Sequence, residues 1–331
     1  MLAGLLIITA AALALRLPEL DARPMHGDEA VHAAKLGTLW ESGRYRYDPN
    51  EFHGPTLYYA ALPVLRLAGV PDYFAANEAH YRLAPVLFGA GMVLLLWPLL
   101  SGLGRGAVLW AGALLAVSPA LVFYSRYFIQ ETLLVCFTLG LLGCGWRYAV
   151  GRRLGWLLAA GACAGLMIAT KETAVLTFFA AALALLVGRG GWPAARPGKT
   201  PAPAGRSPLP FSGARAAGAV AIALLVAGLF LSGFLSNPAG PMDYLRSYAP
   251  WLQRASGTDL HRHPWHYYLS LLLVTHRGRG PVWSEAFILA LALVGALAAW
   301  AVRKPPQPPN SGGSFLDEPP RPPNLGGSFP D

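Results

Sequence analysis

Apolar residues gather in long runs separated by short polar stretches. The runs cover 2–17, 83–100, 107–124, 131–149, 155–187, 216–235 and 284–302. A bilayer-crossing helix takes roughly 20 mostly apolar residues, and each run meets or approaches that length. The run 155–187 is too long for one straight pass and is interrupted by TKET at 170–173. It predicts two short helices meeting near a membrane face, which brings the total to about eight spans. The fold class expected is therefore all-α: a polytopic integral membrane protein.

The polar stretches also carry helical signals. Between 28 and 42, Ala30, Val31, Ala34, Leu36, Leu39 and Trp40 recur at helical spacing, as in an amphipathic helix lying at a membrane surface. Asp28 is placed to cap its start. FHGPTLYYAALPVLRLAG (52–69) reads as a second interfacial helix, with Pro55 near its first turn and Tyr58 and Tyr59 at headgroup level. PWHYYLSLLLVT (264–275) has about 12 residues, too few to cross, and is expected in the interface.

Composition sharpens this picture. Of 331 residues, 54% are hydrophobic and only 13% charged, half the roughly 25% of soluble domains. The net charge of +9 does not require nucleic acid, because the basic residues cluster in particular loops. Arg105, then Arg147, Arg152 and Arg153, then Arg189, Arg196, Lys199, Arg206 and Arg215, then Arg303 and Lys304 follow alternate spans. If these loops face the cytoplasm, residues 21–82, 125–130, 236–283 and the Lys171–Glu172 turn lie outside. The expected organisation is a transmembrane domain over 1–304, with a Gly/Pro-rich cytoplasmic linker at 188–215. Beyond it, PPNSGGSFLDE (308–318) recurs as PPNLGGSFPD (322–331). Two such short copies cannot bury a core, so 305–331 is expected to be a disordered tail. Cys136, Cys144 and Cys163 all fall inside expected spans, without metal-ligand spacing or a disulfide framework.

With so little charge in the chain, its clusters stand out. RPMHGDEAVHAAKLG (23–37) follows the first span and brings together His26, Asp28, Glu29 and His32. The plain reading is a helix cap with interfacial charges. The functional one is a carboxylate at a low-dielectric surface acting as general base on an acceptor hydroxyl or amine. A divalent metal on His26, Asp28 and His32 is an alternative, although the spacing is not the H-E-x-x-H pattern. SRYFIQET (125–132) sets Arg126 and Glu131 at the start of a span, as an interfacial anchor and a dipole-favoured acid or as a phosphate-binding arginine with its partner. Lys171 and Glu172 interrupt an apolar run, either as a mutual ion pair or as groups for a lipid-linked phosphate. GTDLHRHPWHYYLS (257–270) masses His261, His263 and His266 with aromatics, and structural or surface roles fit them better than ligation.

HGDEAVHA, FHGPTLYY, RLAPVLFG, SPALVFYSRYFIQET, GLMIATKETAVL and NPAG…SGTDLHRHPWHYYL occur in this order over about residues 1–300. Together they resemble the GT-C class of polytopic membrane glycosyltransferases. The nearest branch is that of protein mannosyltransferases and lipid A aminoarabinose transferases, and within it the prokaryotic flippase-activity-associated family. The resemblance implies transfer of a sugar from a polyprenyl-phosphate donor to an extracytoplasmic protein, lipid or glycan, with inversion. It implies Asp28 as catalytic base and Glu29 as a supporting acid. Arg126, Glu131, Lys171 and Glu172 fall on the donor side, with His53 and Tyr58 joining them as candidate substrate-binding residues. Where relatives often have Asp, this chain has Glu131. No nucleotide site is expected, since SGLGRG (101–106) lacks the G-K-[ST] of a P-loop. The competing expectation is a non-enzymatic lipid-sugar flippase or its subunit, which would carry charges along a central path rather than gathered at one face.

Overall fold

The computed structural model describes residues 1–50, 53–187, 213–256, 263–264, 266–275 and 282–301. The 305–331 tail, nearly all of the 188–215 linker, and His261, Arg262 and Trp265 lie outside the described residues. Among the described residues, all regular structure is helical apart from one isolated bridge, Thr275 to Trp283. In chain order the helices are α1 (Leu2–Arg16), α2 (Gly27–Ser42), α3 (Thr56–Leu67), α4 (Glu78–Gly91), α5 (Leu100–Leu103), α6 (Arg105–Val117), α7 (Pro119–Ser125) and α8 (Glu131–Gly151). They continue with α9 (Leu154–Ile168), α10 (Ala174–Val187), α11 (Gly213–Leu231), α12 (Gly240–Arg246), α13 (Tyr248–Ser256), α14 (Tyr267–Leu273) and α15 (Ala286–Ala301). Residues 1–285 form one compact unit, and α15 lies in a second, Ala286–Asp331.

The apolar runs all became helices. Glu78–Leu103, Glu131–Gly151 and Gly213–Leu231 are long and apolar enough to cross a membrane, and α6 with α7 would make a fourth span bent by 57°. The shorter apolar helices α1, α9, α10 and α15 fall on the remaining expected spans. The chain is an integral membrane protein, and helices suit that setting because they pair their own backbone groups. TKET does separate two helices, α9 and α10. The 264–275 segment holds only the seven-residue α14.

The bend between α6 and α7 shows how backbone groups freed inside an apolar region are re-paired. Pro119 has no N–H for the Leu115 carbonyl, and Ala120 N donates instead to the buried Glu285 Oε1 at 2.7 Å. Both carbonyls thus released are taken by the buried Arg16 at the end of α1. Its Nη2 donates to Leu115 O at 3.1 Å and its Nη1 to Ala116 O at 2.8 Å, while Nε donates to Ser125 Oγ at 2.9 Å. Cation at the C-terminal end of one helix and carboxylate at the N-terminal end of the next both match the helix dipoles.

The segment between α1 and α4 is more deeply packed than a surface-lying pair of helices. Leu36, Leu39, Leu57, Tyr58 and Leu65 join Tyr81, Phe128 and Leu133 in one buried cluster. Tyr58 is fully buried, which corrects its expected place at headgroup level: its phenol has a polar partner inside the fold. The cap of α2 is His26, not Asp28. His26 Nδ1 accepts from Asp28 N at 3.3 Å while Glu29 Oε2 accepts from His26 N at 3.1 Å. This is a reciprocal capping box.

Further in, α9 packs against both α8 and α11. Small residues let α9 and α11 approach closely, as in membrane helix pairs generally. A Cβ at Gly161 would overlap the Ala219 carbonyl, and one at Gly165 would come within 2.8 Å of Val226 Cβ. Gly165→Val is therefore expected to lower the melting temperature in detergent sharply. Gly145→Ala on α8, where a Cβ would meet nothing within 4 Å, is expected to leave it unchanged or raise it, alanine being favoured in helices by about 1 kcal/mol. Equal melts for the two variants would contradict the close α9–α11 contact.

Candidate functional site

Glu29 organises the region around the site. Its fully buried carboxylate accepts at Oε1 from Arg82 Nε at 2.8 Å and Phe128 N at 2.9 Å. At Oε2 it accepts from Arg82 Nη2 at 2.9 Å, Arg23 Nη2 at 3.1 Å and His26 N. Arg82, itself buried, also donates to the carbonyls of Leu20, Arg23 and Pro24. Burial alone would raise the Glu29 pKa, but the hydrogen bonds from Arg82, Phe128 and His26 and the Arg82 charge hold it below the ordinary carboxylate value. Glu29 is thus a structural anion. Its expected role as a supporting acid is corrected, because both oxygens are occupied within the fold.

A neighbour on a helix points about 100° away, so anchoring Glu29 turns Asp28 outward. Its side chain is 76% exposed. It lies at a cavity of about 360 Å³ lined by Asp28, Val31, His32, His53, Ile129, Gln130, Glu131 and Lys171. That volume is within the roughly 300–1,000 Å³ of small-molecule sites. The lining comes from α2, the segment before α3, the start of α8 and the α9–α10 turn.

The far wall is built around the TKET turn. Gly54 N donates to Thr170 O at 3.1 Å, and Thr56 Oγ1 donates to Thr170 Oγ1 at 2.8 Å. A Cβ on Gly54 would overlap the Ala169 carbonyl, so only glycine permits this docking, and His53 is placed by it. Lys171 and Glu172 then part company. Lys171 Nζ donates to Glu131 Oε1. Buried Glu172 instead receives His53 Nδ1 at Oε2, at 2.7 Å, and the Tyr47 hydroxyl at Oε1. The Trp251 ring stacks on His53 with centroids 5.9 Å apart. Burial works to raise the Glu172 pKa, yet the His53 hydrogen bond and charge and the Tyr47 hydrogen bond hold it below the ordinary value.

His32 forms the cavity's inner edge. Its Nδ1 lies 2.9 Å from the Tyr58 hydroxyl and 3.4 Å from Gln130 Nε2. Burial first, then the His53 charge, pushes its pKa down to about 4; Lys171 adds to this, and Glu131 and Glu29 oppose it.

The structure therefore brings together Asp28, His32, His53, Glu131 and Lys171 at one cavity, with Glu172 and Tyr58 directly behind. Arg126 is not among them. Its Nη2 donates to Pro18 O at 2.7 Å and Glu19 O at 3.0 Å, which fastens the α1–α2 connection, and it does not line the cavity. The metal alternative is corrected as well. His26 Nδ1 lies 3.5 Å from Asp28 Oδ2, but His32 is turned away from that pair, its Nδ1 facing Tyr58 and Gln130. Among the described residues, no group of three or more His, Cys, Asp or Glu is placed to hold a metal. His263 stacks on Tyr267 with centroids 3.7 Å apart and is exposed. Residues the sequence did not single out are Gln130, Tyr47, Trp251 and Arg82. Arg82 had the visible signal, a lone charge opening the apolar motif RLAPVLFG, and Gln130 stood unremarked inside SRYFIQET.

Residues 59–197 match the family model described as dolichyl-phosphate-mannose-protein mannosyltransferase. The architecture matches the crystal structure of ArnT from Cupriavidus metallidurans bound to undecaprenyl phosphate. The TM-score is 0.63 at 18% identity, over 91% of this chain and 51% of that one. The fold is that of the GT-C membrane glycosyltransferases. The protein O-mannosyltransferase Pmt1–Pmt2 complex of S. cerevisiae, bound to its sugar donor, aligns with a TM-score of 0.47 at 18% identity, over 76% of this chain and 33% of that one. No curated protein matches significantly. The chain spans about half the length of the ArnT structure. Asp28, His32 and His53 precede the 59–197 match, while Gln130, Glu131, Lys171 and Glu172 lie within it.

The buried imidazole generates a pH prediction. An unfolded histidine titrates near about 6.5, and His32 in the fold near about 4. As pH falls through that window the unfolded chain gains a proton the folded chain refuses, so stability falls, by up to about 3 kcal/mol. Glu29 and Glu172, whose pKa values are lowered, lose their contribution only below about 4.5. His32→Gln is expected to flatten the decline in melting temperature between about pH 6.5 and 5. An unchanged slope would contradict a neutral, buried His32.

Proposed function

We propose that the protein is a membrane glycosyltransferase that moves a sugar from a polyprenyl-phosphate donor to an acceptor on the extracytoplasmic side. The observation that carries this is the cavity itself. It presents an exposed carboxylate, Asp28, together with two cationic or hydrogen-bonding groups, Lys171 and His53, drawn from segments far apart in sequence, within a GT-C fold. The gathering of charge at one end favours an enzyme over a carrier, which needs polar groups along the whole path.

In the reaction, Asp28 takes the proton of an acceptor hydroxyl as its oxygen attacks the anomeric carbon. The bond from that carbon to the phosphate oxygen breaks, and the polyprenyl phosphate leaves with the electron pair. One displacement inverts the anomeric configuration, through an oxocarbenium-like transition state. Lys171, aimed by Glu131, and His53, aimed by Glu172 Oε2, stabilise the charge growing on the leaving phosphate. Tyr47 and Trp251 hold that His53–Glu172 pair in place, so the donors need little reorganisation as the charge develops. Glu29 does none of this directly; it fixes the angle at which α2 presents Asp28.

The test is release of polyprenyl phosphate from hexosyl and pentosyl polyprenyl-phosphate donors by protein in liposomes. Wild type is expected to turn over at least one donor, with Asp28→Asn slower by roughly 10²–10⁴-fold, the usual contribution of a general base. Glu29→Gln is expected to lower the melting temperature along with activity, whereas Asp28→Asn leaves the melt unchanged. Translocation of the lipid without turnover of any donor, and unaltered by Asp28→Asn, would overturn the enzyme reading.

A further inference from the structure

The reaction above uses a base and an anion-binding pair, yet two buried acceptors at the same cavity serve neither. Gln130 is fully buried and lines the cavity, and its Oε1 has no hydrogen-bond partner among the described residues. Glu131 gives Oε1 to Lys171, and its buried Oε2 likewise has none. Native folds rarely leave buried acceptors bare, because the desolvation is not repaid until a donor arrives.

Beside them, His32 Nδ1 lies 2.9 Å from the Tyr58 hydroxyl and 3.4 Å from Gln130 Nε2. The residues lining the cavity therefore include two acceptors without a donor, Gln130 Oε1 and Glu131 Oε2. An isoprenoid tail would leave both bare. A phosphate would set its own acceptor oxygens against Gln130 Oε1 and Glu131 Oε2. Sugar hydroxyls, each both donor and acceptor, satisfy the set.

Resting on the transferase reading, we infer that Gln130 is a specificity residue that reads the transferred sugar: its Oε1 accepts a hydrogen bond from one ring hydroxyl, with His32 and Glu131 beside it in the cavity lining. The site then rejects a sugar lacking that hydroxyl, because rejection leaves a buried acceptor unpaired.

The experiment measures kcat/KM for a hexosyl or pentosyl polyprenyl-phosphate that wild type turns over and for its monodeoxy analogues, with wild type and Gln130→Met. Methionine keeps the length and removes the acceptor. For wild type, one deoxy analogue is expected to fall by roughly 10–100-fold, the range for leaving a buried acceptor unpaired. Gln130→Met is expected to lose a similar factor on the full sugar but little further on that analogue, so the two losses do not add. A wild-type profile flat within about threefold across the deoxy series would overturn the inference even if Gln130→Met failed to fold. So would additive losses. Absence of turnover of every hexosyl and pentosyl donor by wild type would instead overturn the transferase reading, which separates the two failures.

Discussion

The buried pair of Glu29 and Arg82 is the constraint on which the rest of the site depends. Five hydrogen bonds converge on one fully buried carboxylate, from α2's own cap, the connection after α1, α4 and the strand of backbone entering α8. A buried ion pair is weak evidence for stability, since desolvation consumes most of the attraction. Its worth here is geometric. A single anion satisfied from four directions leaves α2 one orientation, and that orientation sets Asp28 at the cavity mouth and His32 at its inner edge.

The opposite wall follows the same logic with different chemistry. Glycine at 54 lets the backbone before α3 touch the α9–α10 turn, and Glu172 then ties that turn to His53 and Tyr47. Elsewhere in the fold, α9 packs closely on α11 at Gly161 and Gly165, and Arg16 and Glu285 re-pair the break between α6 and α7. The cavity is therefore framed by pieces fixed through short-range polar contacts rather than by the apolar spans alone, whose packing is less directional.

Much of the fold was legible because a bilayer imposes a strict code of long apolar runs, and the two helices of the first outer loop and the TKET break were visible by spacing. The site was legible only in part. A sequence shows that Asp28 and Glu29, or Lys171 and Glu172, are neighbours, but not which way each faces. Arg126 read as a phosphate ligand because a cation at a span's start suits an anion; the structure spends it on the Pro18 and Glu19 carbonyls. Gln130 carried no charge and so gave no signal, although its burial beside His32 is what makes it informative. Tyr58 was read from its polar end, while its ring was what the core required.

Both adjacent ionisable pairs, Asp28–Glu29 and Lys171–Glu172, divide their labour in the same way, and the division has a physical reason. A charged group at the edge of an apolar medium must be held by partners, or it will recruit water or a proton. Placing a second ionisable residue next to it in sequence supplies that hold without adding another charge to the cavity. Glu29 is consumed by arginine and backbone N–H groups, so that Asp28 keeps an exposed carboxylate with only the exposed His26 imidazole beside it, at 3.5 Å. Glu172 is consumed by His53 and Tyr47, and Lys171, pointing the other way, is left to Glu131. On the cavity side this leaves Asp28 and the Lys171–Glu131 pair in the same space, beside an imidazole whose burial keeps it neutral. The cation at this cavity is thus oriented by its own carboxylate, and the Asp28 carboxylate is presented to the same space from another helix.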